Sequence, residues 1–201
     1  MDPSPTIALF RGPEIKPWLA DVARLRMTVF RDWPYLYEGD ADYERDYLAA
    51  YARSPHSLFV LAMEDGEVVG ASTGLPLADD SAAFQKPFLD QGIPVQSIFY
   101  FGESVVLPAH RGRGIGHAFF DHREGHARSL GRFESTAFCA VDRPADDARR
   151  PAGHRGNETF WDKRGYRRRA GMTMQLAWQE PGRGEVMHPL TFWLRDLEQV
   201  A

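Results

Sequence analysis

The stretch from Val105 to Gly116, Val-Val-Leu-Pro-Ala-His-Arg-Gly-Arg-Gly-Ile-Gly, constrains this chain more than any other. An apolar run stops at Pro108, the chain turns through Gly112, Gly114 and Gly116, and residues 115–130 read as a helix ended by Gly131. A strand that turns through glycines straight into a helix builds an anion site. The first N–H groups of the helix lack intrahelical partners, and the helix dipole adds partial positive charge there. Glycine lets backbone approach a phosphate with no Cβ in the way. The stretch therefore predicts a phosphate or pyrophosphate held by residues 112–117.

The motif also narrows the ligand. A dinucleotide loop needs G-x-G-x-x-G, and His117 stands where the third glycine belongs. A Walker A loop needs Gly-Lys before Ser or Thr, and this stretch has no lysine. What it does match is R-x-x-G-x-G, from Arg111 to Gly116, preceded by V-x-P at 106–108. That combination resembles the acetyl-CoA-binding motif of the GNAT superfamily of N-acetyltransferases. A second stretch, Phe160-Trp161-Asp162-Lys163-Arg164-Gly165-Tyr166, is similar to that family's aromatic-x-x-x-Gly-aromatic signature at its last helix.

The order of elements agrees with the resemblance. Residues 6–11 read as a strand, 15–33 as a helix stopped by Pro34, and Asp40 as the N-cap of a second helix. Two apolar runs, 57–63 and 68–75, flank Asp65-Gly66, a strong hairpin signal. Residues 79–91 read as a helical insertion. Residues 96–107 alternate as a strand, with Ile98, Tyr100, Gly102, Ser104 and Val106 on one face and Phe99, Phe101, Glu103 and Val105 on the other. After the helix come a strand at 133–141, a long loop at 142–155, a short helix at 157–164 and a strand at 168–179. A last strand is expected at 190–194. The expected fold class is mixed α/β in a single domain spanning 1–201. The resemblance implies a splayed, mostly antiparallel sheet flanked by helices, with a helical insertion before the fourth strand.

The resemblance also implies that two middle strands part near Val106. Pantetheine would lie in the gap, bonded to the backbone of Ser104, Val105 and Val106. The pyrophosphate would rest on Arg111, Gly112, Arg113, Gly114, Ile115, Gly116 and His117. Many relatives begin the last helix with an asparagine and carry a tyrosine, often the general acid, seven residues later. Here those positions hold His154 and Trp161, and an indole cannot usefully protonate a thiolate. Asn157 can take over part of the cofactor contact. This departure keeps open an alternative reading, a catalytically silent acyl-CoA-binding sensor.

Amine acetylation needs a neutral amine, so a base is useful. Glu103 interrupts an apolar strand, where a carboxylate is costly unless paired or protonated; it reads as the base or as an ion-paired scaffold residue. Tyr166 and Tyr100 are the phenols considered for the general acid, with core packing the competing role for Tyr166. Trp33, Tyr35, Tyr37, Glu38 and Asp40 form an aromatic and acidic cluster suited to a cationic amine, and Tyr100 joins Trp33, Tyr35 and Tyr37 as an expected acceptor contact. His122 and His126 have metal-ligand spacing but no third ligand, so no metal is expected. A lone Cys139 reads as core rather than as an acyl carrier.

Composition sets the remaining bounds. Hydrophobic residues at 43% and charged ones at 26% fit a globular chain, and a net charge of -4 argues against a nucleic-acid binder. No apolar run is long enough to span a bilayer, no secretory signal is visible, and one cysteine fits a reducing compartment. The expectation is a cytoplasmic protein acting on a small-molecule or peptide amine, with a homodimer allowed.

Overall fold

The computed structural model describes residues 5–197. Its centre is one seven-stranded sheet in the order β1-β2-β3-β4-β5-β7-β6. The strands are β1 (Thr6–Arg11), β2 (Leu58–Glu64), β3 (Glu67–Pro76), β4 (Ile98–Val106), β5 (Ser135–Val141), β6 (Arg167–Glu180) and β7 (Gly184–Asp196). Every pairing is antiparallel except β4 with β5. Helices α1 (Leu19–Phe30), α2 (Ala41–Arg53) and α3 (Ala82–Leu89) pack on one face with the largest apolar cluster, around Leu48, Phe59, Tyr100 and Phe192. On the other face lie α4 (Ile115–Ser129) and α5 (Glu158–Lys163), over Phe99, Phe101, Phe120, Phe138 and Tyr166. This is the mixed, mostly antiparallel architecture expected. Among the described residues, no helix is long and apolar enough to cross a membrane.

Local chemistry explains several boundaries. The Asp40 side chain accepts from the Tyr43 N–H at 2.9 Å and starts α2. Asp65 and Gly66 both take positive φ, 51° and 83°, as a tight hairpin turn requires. The first helix is shorter than its apolar spacing suggests, because a 3-10 turn over Gly12–Trp18, with Pro17 inside it, precedes α1. The last strand is much longer than the expected 190–194. Thirteen residues of β7 pair with β5 on one side and β6 on the other, and cross-strand pairing rather than apolar alternation sets its length.

The strict alternation expected along β4 does not hold. Phe101 pairs with Gly74 and Ser104 with Ser72, so Gly102 and Glu103 together oppose the single residue Thr73. This β-bulge shifts the parity of the strand by one. Glu103 and Val105 consequently share a face with Tyr100, towards α1 and α2, while Ser104 joins Phe101 on the α4 side. Arg123, fully buried on α4, satisfies the bulge: its Nη1 donates to the carbonyls of Thr73 and Glu103 and its Nη2 to Ser104 Oγ at 2.7 Å. Burial lowers this guanidinium to about 10.

Candidate active site

The sheet is split at its centre. Strands β4 and β5 pair only from Ile98 to Tyr100 on one side and from Ser135 to Ala137 on the other. From Phe101 and Phe138 onwards the two arms run apart, so the split opens earlier along β4 than Val106. Between the arms lies a cleft of about 810 Å³, floored by Gly102, Glu103, Ser104, Val106, Cys139 and Ala140. The Leu107 N–H donates to Val69 of β3. Strand alternation therefore turns the backbone groups of Val106 and Ser104 away from β3, towards the gap.

One end of this cleft is the start of α4. Gly114 is its N-cap at φ 82°, with no side chain to bond the free N–H groups of the first turn, and Gly112 is also left-handed at φ 76°. A Cβ on either glycine would meet nothing within 4 Å, so the turn needs their conformation rather than their small size. Gly112, Gly114, Ile115, Gly116 and His117 line the cleft, as do Arg111 and Asn157. Arg111 Nε donates to the Val106 carbonyl at 3.1 Å, tying the loop to β4. His117 stands edge-on to Phe160. Two expected cofactor residues are placed elsewhere. Val105 pairs with Ala71 of β3, so its backbone is turned to that strand and its side chain is buried on the opposite face, and Arg113 Nη2 donates to Glu64 at 2.9 Å, outside the cleft. Hydrogen bonds from Arg113 and His110 hold the Glu64 carboxyl below the usual range.

Glu103 lies at the centre, its side chain 1% exposed. Its Oε2 accepts from Thr73 Oγ1 at 2.8 Å and Tyr47 at 3.2 Å, and pairs with Arg26 Nη1 at 2.9 Å. Its Oε1 is buried with no hydrogen-bond partner among the described residues. Arg26 also pairs with Glu44 at 2.5 Å, so one buried guanidinium serves two buried carboxylates. Burial opposes the charge of Arg26, but Glu103, Tyr47 and Glu44 overcome it and raise its pKa further. Burial pushes the Glu44 carboxyl up, with Arg26 pulling against it. Neither Arg26 nor Glu44 was singled out in the sequence. The available signal is that each interrupts the apolar stripe of its helix, Arg26 between Val22 and Val29 and Glu44 one turn before Leu48.

Trp33 and Tyr35, two of the expected acceptor contacts, line the cleft. They are fixed by Arg143, whose Nε and Nη2 donate to the carbonyls of Pro34 and Tyr35 at 2.6 and 2.7 Å. His154 stands edge-on to Trp33. Tyr37 and Tyr100 do not reach the cleft. The Tyr37 hydroxyl accepts from the Asp40 N–H, and Tyr100 is buried with its hydroxyl 3.1 Å from Cys139 Sγ. Tyr166 is also outside: fully buried among Phe101, Phe120 and Phe138, it bonds Thr136 and Glu124. Burial raises its hydroxyl well above the usual range. His126 is engaged with the His56 carbonyl, and no group of three or more metal-ligating side chains stands together among the described residues.

A sheet splayed at its parallel pair, with a glycine turn leading into a helix at the split, is the arrangement that the resemblance to acetyl-CoA-dependent acetyltransferases implied. Residues 22–152 match the model of the acetyltransferase (GNAT) family, and the chain belongs to that family. No curated protein sequence matches it. Solved structures share the fold at low identity. One is a ribosomal-protein-alanine N-acetyltransferase from Brucella melitensis, 15% identical, TM-score 0.61, with 94% of this chain and 99% of that one covered. Another is an aminoglycoside 6'-N-acetyltransferase complexed with coenzyme A, 15% identical, TM-score 0.62, covering 98% and 99%. A third is a phosphinothricin acetyltransferase from Sinorhizobium meliloti in complex with acetyl-CoA, 15% identical, TM-score 0.59, covering 96% and 89%. The cleft fits such a ligand: an uncapped helix end for a pyrophosphate, and free backbone edges for an amide-bearing arm.

Proposed function

We propose that this protein transfers an acetyl group from acetyl-CoA to a primary amine of a small molecule or peptide. One observation carries the reading. The split between β4 and β5, the uncapped start of α4 and Glu103 all border a single cleft. Acetyl-CoA supplies an acetyl group activated as a thioester. Gly112, Gly114, Ile115, Gly116 and His117 hold its pyrophosphate, with Arg111 and Asn157 beside them, and the backbone of Ser104 and Val106 aligns its pantetheine arm.

An acceptor amine enters along Trp33 and Tyr35, whose aromatic faces suit a cation. Glu103 takes the proton of the ammonium on Oε1, the oxygen with no other partner, while Arg26, Thr73 and Tyr47 keep Oε2 in place. The freed nitrogen then attacks the thioester carbon directly: the C–N bond forms as the C–S bond breaks, and the second nitrogen proton goes to the departing CoA thiolate. An acyl-cysteine route has no support, because burial pushes the Cys139 thiol up to about 12, where it stays protonated at neutral pH. Tyr166 and Tyr100 lie outside the cleft, and neither serves as an acid.

The test is CoA release from acetyl-CoA over a panel of polyamines, aminoglycosides, amino acids and peptides, beside Glu103→Gln and a calorimetric titration of acetyl-CoA. Release that depends on one amine class and falls sharply in the variant supports the enzyme. Tight binding without release on any amine favours the silent sensor, and an absence of binding would overturn the whole reading.

A further inference from the structure

A buried base must be emptied after every turnover. The direct way from Glu103 to water runs through the cleft that both substrates fill. A second way leads into the protein. Tyr47 Oη stands 3.2 Å from Glu103 Oε2, Tyr51 Oη lies 3.1 Å from Tyr47 Oη, and Tyr51 Oη donates to Asp80 Oδ2 at 3.4 Å. Tyr47 and Tyr51 are one turn apart on α2, with ring centroids 5.0 Å apart. Asp80 is half-buried ahead of α3, its Oδ1 accepting from the Ser81 N–H at 2.7 Å.

Gly102 makes room for the two hydroxyls. A Cβ there would stand 2.5 Å from Tyr51 Oη and 2.8 Å from Tyr47 Oη, although its φ is one that any residue could adopt. The bulge that turns Glu103 towards α2 thus also leaves space for the phenols beside it.

We propose that Tyr47, Tyr51 and Asp80 form a proton relay that carries the proton taken up by Glu103 out to solvent at the α3 insertion. The proposal rests on Glu103 acting as the base. A half-turn of the protonated carboxyl brings its O–H to Tyr47. The Glu103 O–H bond breaks as a new Tyr47 O–H bond forms; the original Tyr47 proton moves to Tyr51, and that of Tyr51 to Asp80 Oδ2. Both phenols end neutral with their hydrogens reversed, Glu103 is again a carboxylate, and Asp80 releases the proton to water.

The surrounding groups suit these roles. Burial first, then the nearby charge of Glu103, keeps the Tyr47 hydroxyl protonated, and burial does the same for Tyr51, so each passes a proton without ionising. Burial raises Asp80 to about 6, which lets it hold a proton briefly and lose it near neutrality. The charged and titratable neighbours of the path around Glu103 are Arg26 from α1, Tyr35 after it, Tyr43 and Glu44 from α2 and Arg123 from α4. Around Asp80 they are Tyr43 and Tyr51 from α2, Tyr100 from β4 and Cys139 from β5.

The experiment uses the ligand-free protein with 13C-labelled Asp and Glu side-chain carboxyls, titrated by NMR. In the wild type, the Glu103 signal is expected to respond as Asp80 ionises near pH 6, and Tyr51→Phe should abolish that response while Tyr43→Phe preserves it. In turnover, Tyr51→Phe should lower kcat on the order of tenfold and leave KM for acetyl-CoA unchanged. Asp80→Asn should lower kcat similarly and remove any dependence of kcat on a group titrating near 6. A wild-type Glu103 signal indifferent to Asp80, or an unchanged kcat in both variants, overturns the relay. Loss of the Glu103→Gln effect would instead overturn the assignment of the base itself.

Discussion

Two buried ion clusters flank the cleft, built in opposite proportions. Towards α1 and α2, one arginine, Arg26, serves two carboxylates, Glu44 and Glu103. Towards the loop after β5, one carboxylate, Glu180, serves Arg143 at 2.7 Å and Arg149 at 2.6 Å, with Arg183 at 3.5 Å. The first cluster gathers two carboxylates on one guanidinium and leaves Glu103 Oε1 without a hydrogen-bond partner among the described residues. In the second, Asp147 also pairs with Arg149 at 2.6 Å, and the cluster binds three segments together: the loop, the Trp33–Tyr35 wall through Arg143, and the end of β6. Burial alone would raise the Glu180 carboxyl, yet hydrogen bonds from Arg143 and Arg149 hold it below the usual range. Buried charge of similar composition thus takes two forms, carboxylates gathered on one guanidinium beside the cleft and guanidiniums gathered on one carboxylate where three segments join.

The comparison breaks most visibly at Glu180. Glu180→Ala leaves Arg143 and Arg149 without their buried partner, and urea denaturation should find a loss of roughly 3–5 kcal/mol. A loss under about 1 kcal/mol would mean that the loop is held by something else. Next comes Glu103→Gln. It should lower kcat about 100-fold, equivalent to about 2.7 kcal/mol, with a smaller loss of stability because Arg26 keeps Glu44. The contrast collapses should this variant unfold as readily as Glu180→Ala while keeping its activity.

Gly114→Ala calibrates both clusters from outside. Forcing a Cβ into φ 82° should cost about 1–2 kcal/mol and weaken acetyl-CoA binding in calorimetry, since the α4 cap distorts. Unchanged affinity would remove the α4 start from the site. The smallest effect concerns Asp80, whose folded value of about 6 lies above its ordinary 3.8. Its neutral form is favoured by the fold, so that stability is complete below about pH 3.8 and lost as pH rises through 6. Asp80→Asn cannot ionise; its melting temperature should exceed the wild type's at pH 8, and the gain should vanish at pH 3. A gain that is the same at both pH values would show that Asp80 ionises freely.

Much of this was legible in the sequence where a local signal was sufficient. The glycine turn into α4, the Asp40 cap, the Asp65-Gly66 hairpin and the helical insertion all depend on neighbouring residues. The rest depends on partners far away along the chain. A bulge is decided by what the opposite strand offers, and Thr73 lies 30 positions from Glu103. Aromatic residues read alike whether they line a cleft or fill a core, so Tyr37, Tyr100 and Tyr166 could not be separated from Trp33 and Tyr35 by type. The Arg143 clamp joins residues more than a hundred positions apart, with no periodicity to announce it. Arg26 and Glu44 were readable in principle, each being a charge on an apolar stripe.

The split sheet has one more consequence, for how this fold is held together. Along Phe101–Val106 and Phe138–Val141 the sheet has open valences in its interior, backbone edges that a neighbouring strand would ordinarily close. Under the proposed function, a ligand arm bearing amides would act there as a missing piece of ladder, coupling its affinity to the cohesion of the sheet. The melting temperature of such a protein is then not a property of the chain alone. It should climb with the logarithm of ligand concentration once that exceeds the dissociation constant, so ligand supply would set how firmly the two halves of the sheet stay joined.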